Sequence, residues 1–145
     1  MNLIKYLKCT YKIVREKLYN YPVLKKEIEE QLKDLEYTQA VFAKISTTQG
    51  HYSDPTARAV LSKEKILQSK NYKWVETIDT VIEILKKEHR GKYNLLILKY
   101  FQNVRTNEAI NELKIDIDTF RKWDNDIIDL VLLIAVQKHL INVVE

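Results

Sequence analysis

A chain of 145 residues is long enough to bury one core without disulfides or a structural metal. It holds two glycines and two prolines, too few for strands joined by tight turns, so β-rich folds are excluded and an all-α class is expected. The single Cys9 excludes an internal disulfide, and a formal net charge of +4 with a pI of about 9.0 favours a polyanionic partner.

The first helix is expected over about residues 2–19, with Leu3, Leu7, Val14 and Leu18 on one face and Tyr11 beside them. Lys5, Lys8, Lys12, Arg15 and Lys17 oppose only Glu16, which makes this helix a solvated basic face or a phosphate-contacting arm. Cys9 reads as a small apolar residue on it. Tyr21-Pro22 predicts a break, with Pro22 opening a second helix that runs to about Ala43 behind Ile28, Leu32, Leu35 and Phe42. Residues 1–45 thus read as an N-terminal helical hairpin. Residues 46–55, polar and containing Gly50 and Pro55, read as a linker.

Asp54 is the expected cap of a long central helix extending to about His89. Val60, Leu67, Trp74 and Val81 recur every seven residues, with Asn71, Ile78 and Leu85 as the alternate set, which argues for packing along another helix. Gly91 reads as its C-terminal stop and His89 as a cation at its negative end. A short helix over about 92–102, apolar nearly all round through Leu95, Leu96, Leu98, Tyr100 and Phe101, should be largely buried.

The stretch from Leu98 to Leu140 carries most of the functional signal. Thr106 is the expected cap of a short helix with Ala109 at a close crossing and Ile110 and Leu113 facing inward. Lys114–Ile117 form a turn, and Asp118 caps a second helix with Phe120 and Ile127 directed to the core and Arg121, Lys122 and Asn125 directed outward. A short helix, a tight turn and a second helix bearing polar side chains is the order of a C-terminal helix-turn-helix. In such a unit Arg reads guanine and Asn reads adenine from the first turns of the second helix, so Thr119, Arg121, Lys122 and Asn125 are the candidate base-reading residues. Arg105, Thr106 and Asn107 stand where free amides meet a phosphate and would position the backbone. Against this, Asp116, Asp118, Asp124 and Asp126 crowd the same segment, and carboxylates repel phosphates. Beyond Trp123 the last helix is apolar on every face and should be buried on every face, by the rest of the chain or by a second copy in a homodimer.

The run Tyr100-Phe101, then Thr106-x-x-Ala109-Ile110-x-x-Leu113, then a β-branched turn and Thr119-Phe120-Arg121-Lys122 resembles the region-4-type helix-turn-helix of bacterial sigma factors. More widely, Leu18–Pro22, the polar linker, Asp54–Val60, the long helix, Leu98–Phe101 and the terminal unit resemble in order the RinA/ArpU-type late transcriptional regulators of Gram-positive bacteriophages. The resemblance implies residues 56–145 as a long helix joined to a sigma region-4-like domain. It also implies an activator of transcription that binds double-stranded promoter DNA, with host RNA polymerase as a further partner, in the bacterial host cytoplasm.

Other chemistry is not legible. No glycine-rich phosphate loop, metalloprotease helix, nucleophile elbow or paired cysteine occurs, and His51, His89 and His139 are too scattered to suggest a ligand set. No catalytic residue, metal or cofactor is implied, and an enzyme is the least expected class. The opening residues lack an apolar run, and Ile127–Val136, interrupted by Asp129, is half of the ~20 residues a membrane span needs, so no membrane partner is expected. Two rivals stay open: a helical interaction protein without DNA affinity, such as an anti-repressor or polymerase-binding factor, and a small packaging subunit.

Overall fold

The computed structural model describes residues 3–49 and 55–141, with side chains for Lys5, 7–41 and 61–141. All secondary structure among them is helical: α1 (Leu3–Gln49), α2 (Pro55–Leu67), α3 (Lys70–Glu88), α4 (Arg90–Leu96), a π turn (Ile97–Phe101), α5 (Thr106–Leu113) and α6 (Ile117–Gln137). The chain divides into two compact units, Met1–Pro22 with Trp74–Glu145, and Val23–Lys73. No helix among the described residues is long and apolar enough to cross a membrane.

The expected break at Pro22 does not occur. Pro22 lies inside α1, which is one helix from Leu3 to Gln49, so the described part of the N-terminal segment forms no hairpin. A proline in a helix interior costs about 3 kcal/mol by removing an i→i−4 hydrogen bond. Burial of Leu18 and Tyr21 before it and of Ile28 after it holds both flanks helical against that cost. The second half of α1 faces α2 instead. Leu24, Ile28 and Gln31 from α1 line a groove with Ser62, Lys65 and Ile66 from α2. The linker begins later than its composition suggests, because residues 46–49 continue α1; Asp54, His51 and the rest of 50–54 lie outside the described residues, as do the side chains of Leu3, Phe42 and Val60.

The long central helix is two helices. Ser69 interrupts it, its hydroxyl donating to the Ile66 carbonyl at 2.7 Å and accepting from the Tyr72 amide at 3.2 Å, and so caps α3. The interruption takes Asn71 out of the seven-residue seam and leaves it exposed, while Trp74, Ile78, Val81 and Leu85 are buried.

In the larger unit, α1 packs through Val14, Leu18 and Tyr21, all buried. Cys9, read from sequence as a small apolar residue, is exposed, as is Leu7. The Tyr11 hydroxyl donates to Asp129 on α6, and the Tyr21 hydroxyl donates to Asp79 on α3. The Tyr19 and Tyr21 rings meet those of Tyr100 and Phe101, at 4.8 and 4.9 Å between centroids. Ile127, Ile128, Val131 and Ala135 of α6 are fully buried, but Leu133 is 57% exposed and Leu130 and Ile134 are half-buried, so this chain alone does not cover α6 on every face.

His89 stands directly after α3, its amide donating to the Leu85 carbonyl at 2.9 Å, and also opens α4, whereas Gly91 lies within α4 and is not the stop of the preceding helix. His89 has extended backbone and its Nδ1 accepts from the Lys92 amide at 3.0 Å, capping α4. Gly91 lies in the first turn of α4 against the indole of Trp123. A Cβ there would stand 2.7 Å from Trp123 Cη2 and 2.8 Å from Cζ3. Gly91→Ala is therefore expected to lower stability by about 1 kcal/mol, since overpacking of roughly 1–3 kcal/mol outweighs the helix propensity gained. Made in a Trp123→Leu background, the same change should reverse sign and stabilise. Denaturant melts of the four chains check this, and the same effect in both backgrounds would contradict the contact.

Candidate nucleic-acid interface

The segment from the π turn to α6 is built around Asp124. In an α-helix neighbouring side chains diverge by ~100°. At the wider turn Ile97–Phe101, closed by the Gln102 amide on the Ile97 carbonyl at 2.9 Å, two adjacent long side chains nevertheless reach one carboxylate. Lys99 Nζ lies 2.7 Å from Asp124 Oδ2 and the Tyr100 hydroxyl donates to Oδ1 at 2.5 Å. The Lys99 ammonium also stands 5.0 Å from the Tyr100 ring centroid and 5.7 Å from that of Phe120. Asp124 is 6% exposed. Burial first, then the Asp124 charge and its hydrogen bond, push the Tyr100 hydroxyl far above the usual phenol range. Asp126 is paired with Lys92 at 3.1 Å.

Two caps differ from the sequence reading. Arg105, not Thr106, is the cap residue of α5; its backbone is extended, its side chain makes no capping bond, and Thr106 is the first helical residue. Asp116, not Asp118, caps α6, accepting from the Thr119 amide at 2.8 Å. Hydrogen bonds from Thr119, side chain first and then amide, hold the Asp116 carboxyl below its ordinary range.

Between α5 and α6 the chain turns within three residues. Lys114 is left-handed, at φ 57° and ψ 47°, and the amides of Lys114 and Ile115 both return to the Ile110 carbonyl. A lysine in this conformation costs about 1–2 kcal/mol, a position where glycine is the ordinary choice. Ala109 is fully buried and Ile110 and Leu113 are half-buried, while Phe120 and Ile127 are buried, as the sequence predicts.

The residues named from sequence fall into two groups. Arg121, Lys122 and Asn125 are exposed on α6, and Arg121 and Asn125 stand one turn apart on one face. Thr119 is half-buried. Arg105, Thr106 and Asn107 are exposed at the start of α5. Of the four carboxylates in 116–126, Asp116 caps, Asp124 and Asp126 are paired with lysines, and Asp118 remains exposed on the first turn, where a carboxylate suits the positive end of the helix. On α1, Lys5, Lys8 and Lys12 are exposed, whereas Arg15 and Lys17 lie over the rings of Tyr11 and Trp74 at 6.0 and 5.8 Å. Among the described residues no cluster of three or more His, Cys, Asp or Glu is arranged to hold a metal ion. Family profiles, curated proteins and solved structures yield no match to this chain.

Proposed function

We propose that the chain is a transcription regulator of the late-phage type that binds duplex DNA, with α5, the turn at Lys114 and the start of α6 acting as a helix-turn-helix. The observation that carries the reading is the sorting of charge on α6. Asp124 and Asp126 are tied to Lys99 and Lys92, and Arg121, Lys122 and Asn125 stand exposed. The reading of this segment as an acidic surface for a protein partner loses two of its four carboxylates to those internal bonds. In the proposed complex Arg121 and Asn125 meet base edges and Lys122 a phosphate. Arg105, Thr106 and Asn107 fix the register on the backbone, helped by the uncapped start of α5.

The test is selection of bound fragments from a random duplex pool, followed by fluorescence anisotropy on the enriched sequence. The parent chain should prefer that sequence over the pool. Arg121→Ala should lose ~10- to 100-fold of the preference, the worth of one bidentate base contact. Lys8→Ala should lower affinity slightly and equally on every sequence. Equal binding of all duplexes by the parent chain would refute base readout.

A further inference from the structure

Residues 86–92 read Lys-Lys-Glu-His-Arg-Gly-Lys, four cations against Glu88, across the corner where α3 ends and α4 begins. This corner belongs neither to the exposed row on α6 nor to the basic part of α1. Lys86, Lys87 and Arg90 are exposed. Lys86 Nζ and the Arg90 guanidinium both lie over the Tyr93 ring, 5.6 and 5.1 Å from its centroid. One aromatic face thus gathers two long side chains that would otherwise spread through solvent.

The corner is also fixed to α6. The His89 and Trp123 rings meet edge to face at 4.7 Å, Gly91 leaves the room that the Trp123 indole fills, and Lys92 bridges to Asp126. Trp123 directly follows Lys122, and Asp126 stands one turn beyond it. The corner therefore borders the Lys122 edge of the exposed row. The His89 cap on the Lys92 amide sets the backbone of the corner itself.

We propose that Lys86, Lys87 and Arg90 form a second phosphate-contacting surface, which grips the backbone of the same duplex whose bases α6 reads. This inference rests on the DNA-binding reading. A helix seated in a groove brings the flanking strands against the elements beside it, and cations at a fixed place there meet phosphates whatever the sequence. Each phosphate neutralised adds about 0.9 to the slope of log affinity against log salt.

The experiment compares the full chain with a Lys86→Gln, Lys87→Gln, Arg90→Gln triple variant by anisotropy. Binding is measured to a random-sequence duplex and to the selected duplex, from roughly 50 to 200 mM salt. The expected result is weaker binding to both duplexes by a similar ten- to hundred-fold at low salt. The salt slope should be shallower by about 2–3, with sequence preference unchanged. The chain should still be folded at the temperature of the binding measurement, although the lost contacts to the Tyr93 ring lower its melting temperature slightly. Parent-like affinity and slope in the triple variant, while Arg121→Ala still loses preference, would overturn this inference and leave the DNA-binding reading standing. Absence of duplex binding by the parent chain at low salt would overturn both. Loss of binding to a poly-glutamate peptide, with duplex binding intact, would overturn it in favour of an acidic protein partner.

Discussion

Asp124→Ala is expected to lower stability by about 3 kcal/mol, the low end of the cost of removing one member of a buried ion pair. The substitution strands the Lys99 ammonium between the Tyr100 and Phe120 rings without its counter-charge, and strands the Tyr100 hydroxyl without its acceptor. In a chain of this length that should appear as a fall of roughly 6–12 °C in melting temperature. Lys99→Met in the same background should recover part of the loss, because it removes the uncompensated charge while keeping the stem. Thermal melts of the parent and the two variants decide it. A melting temperature unchanged by Asp124→Ala would mean that the carboxylate does not organise this segment.

The second large effect concerns two neighbours with opposite duties. Phe120 is 3% exposed beneath the Lys99 ammonium, whereas Arg121 is exposed. Phe120→Ala should cost about 3–4 kcal/mol through lost burial and a residual cavity. A single domain often has only ~5–15 kcal/mol in total, so a substantial unfolded fraction is expected at physiological temperature. Binding and the folded signal should then fall together. Arg121→Ala should stay within about 0.5 kcal/mol of the parent in stability while losing duplex preference. Circular dichroism melts beside anisotropy separate the two. A destabilised Arg121→Ala chain would show that this residue serves the fold.

The sequence shows why some of this was foreseeable. Scarcity of glycine and proline and a helical apolar period point to an all-helical chain. The pattern places Ala109, Phe120, Ile127, Leu95, Leu96, Leu98, Tyr100 and Phe101 in the interior, and all are buried but Leu98 and Phe101, which are half-buried. Failures came where long-range packing overrides a local rule. Pro22 marks a break by propensity, yet buried residues on both sides keep α1 continuous. Ser69 is a sound cap by chemistry, but it sits within an unbroken seven-residue spacing that hides it. Lys114 holds a left-handed turn with no glycine to announce it. Asp124 reads from sequence as an unpaired charge because its partners lie 24 and 25 residues away, beyond any periodicity argument. The signal for it was present, in a lysine and a tyrosine side by side in an otherwise apolar stretch.

The π turn at Ile97–Phe101 amounts to one surplus residue carried by an otherwise regular coil. Losing a single codon there would yield a more ideal helix and a worse protein: everything downstream, α6 included, would swing by ~100° around the axis of α4, pulling Asp126 off Lys92 and Trp123 off Gly91. Length in this short stretch should therefore be far less negotiable than side-chain identity, and an insertion–deletion scan would meet its sharpest intolerance at a place where a composition-based view sees only a greasy, replaceable turn.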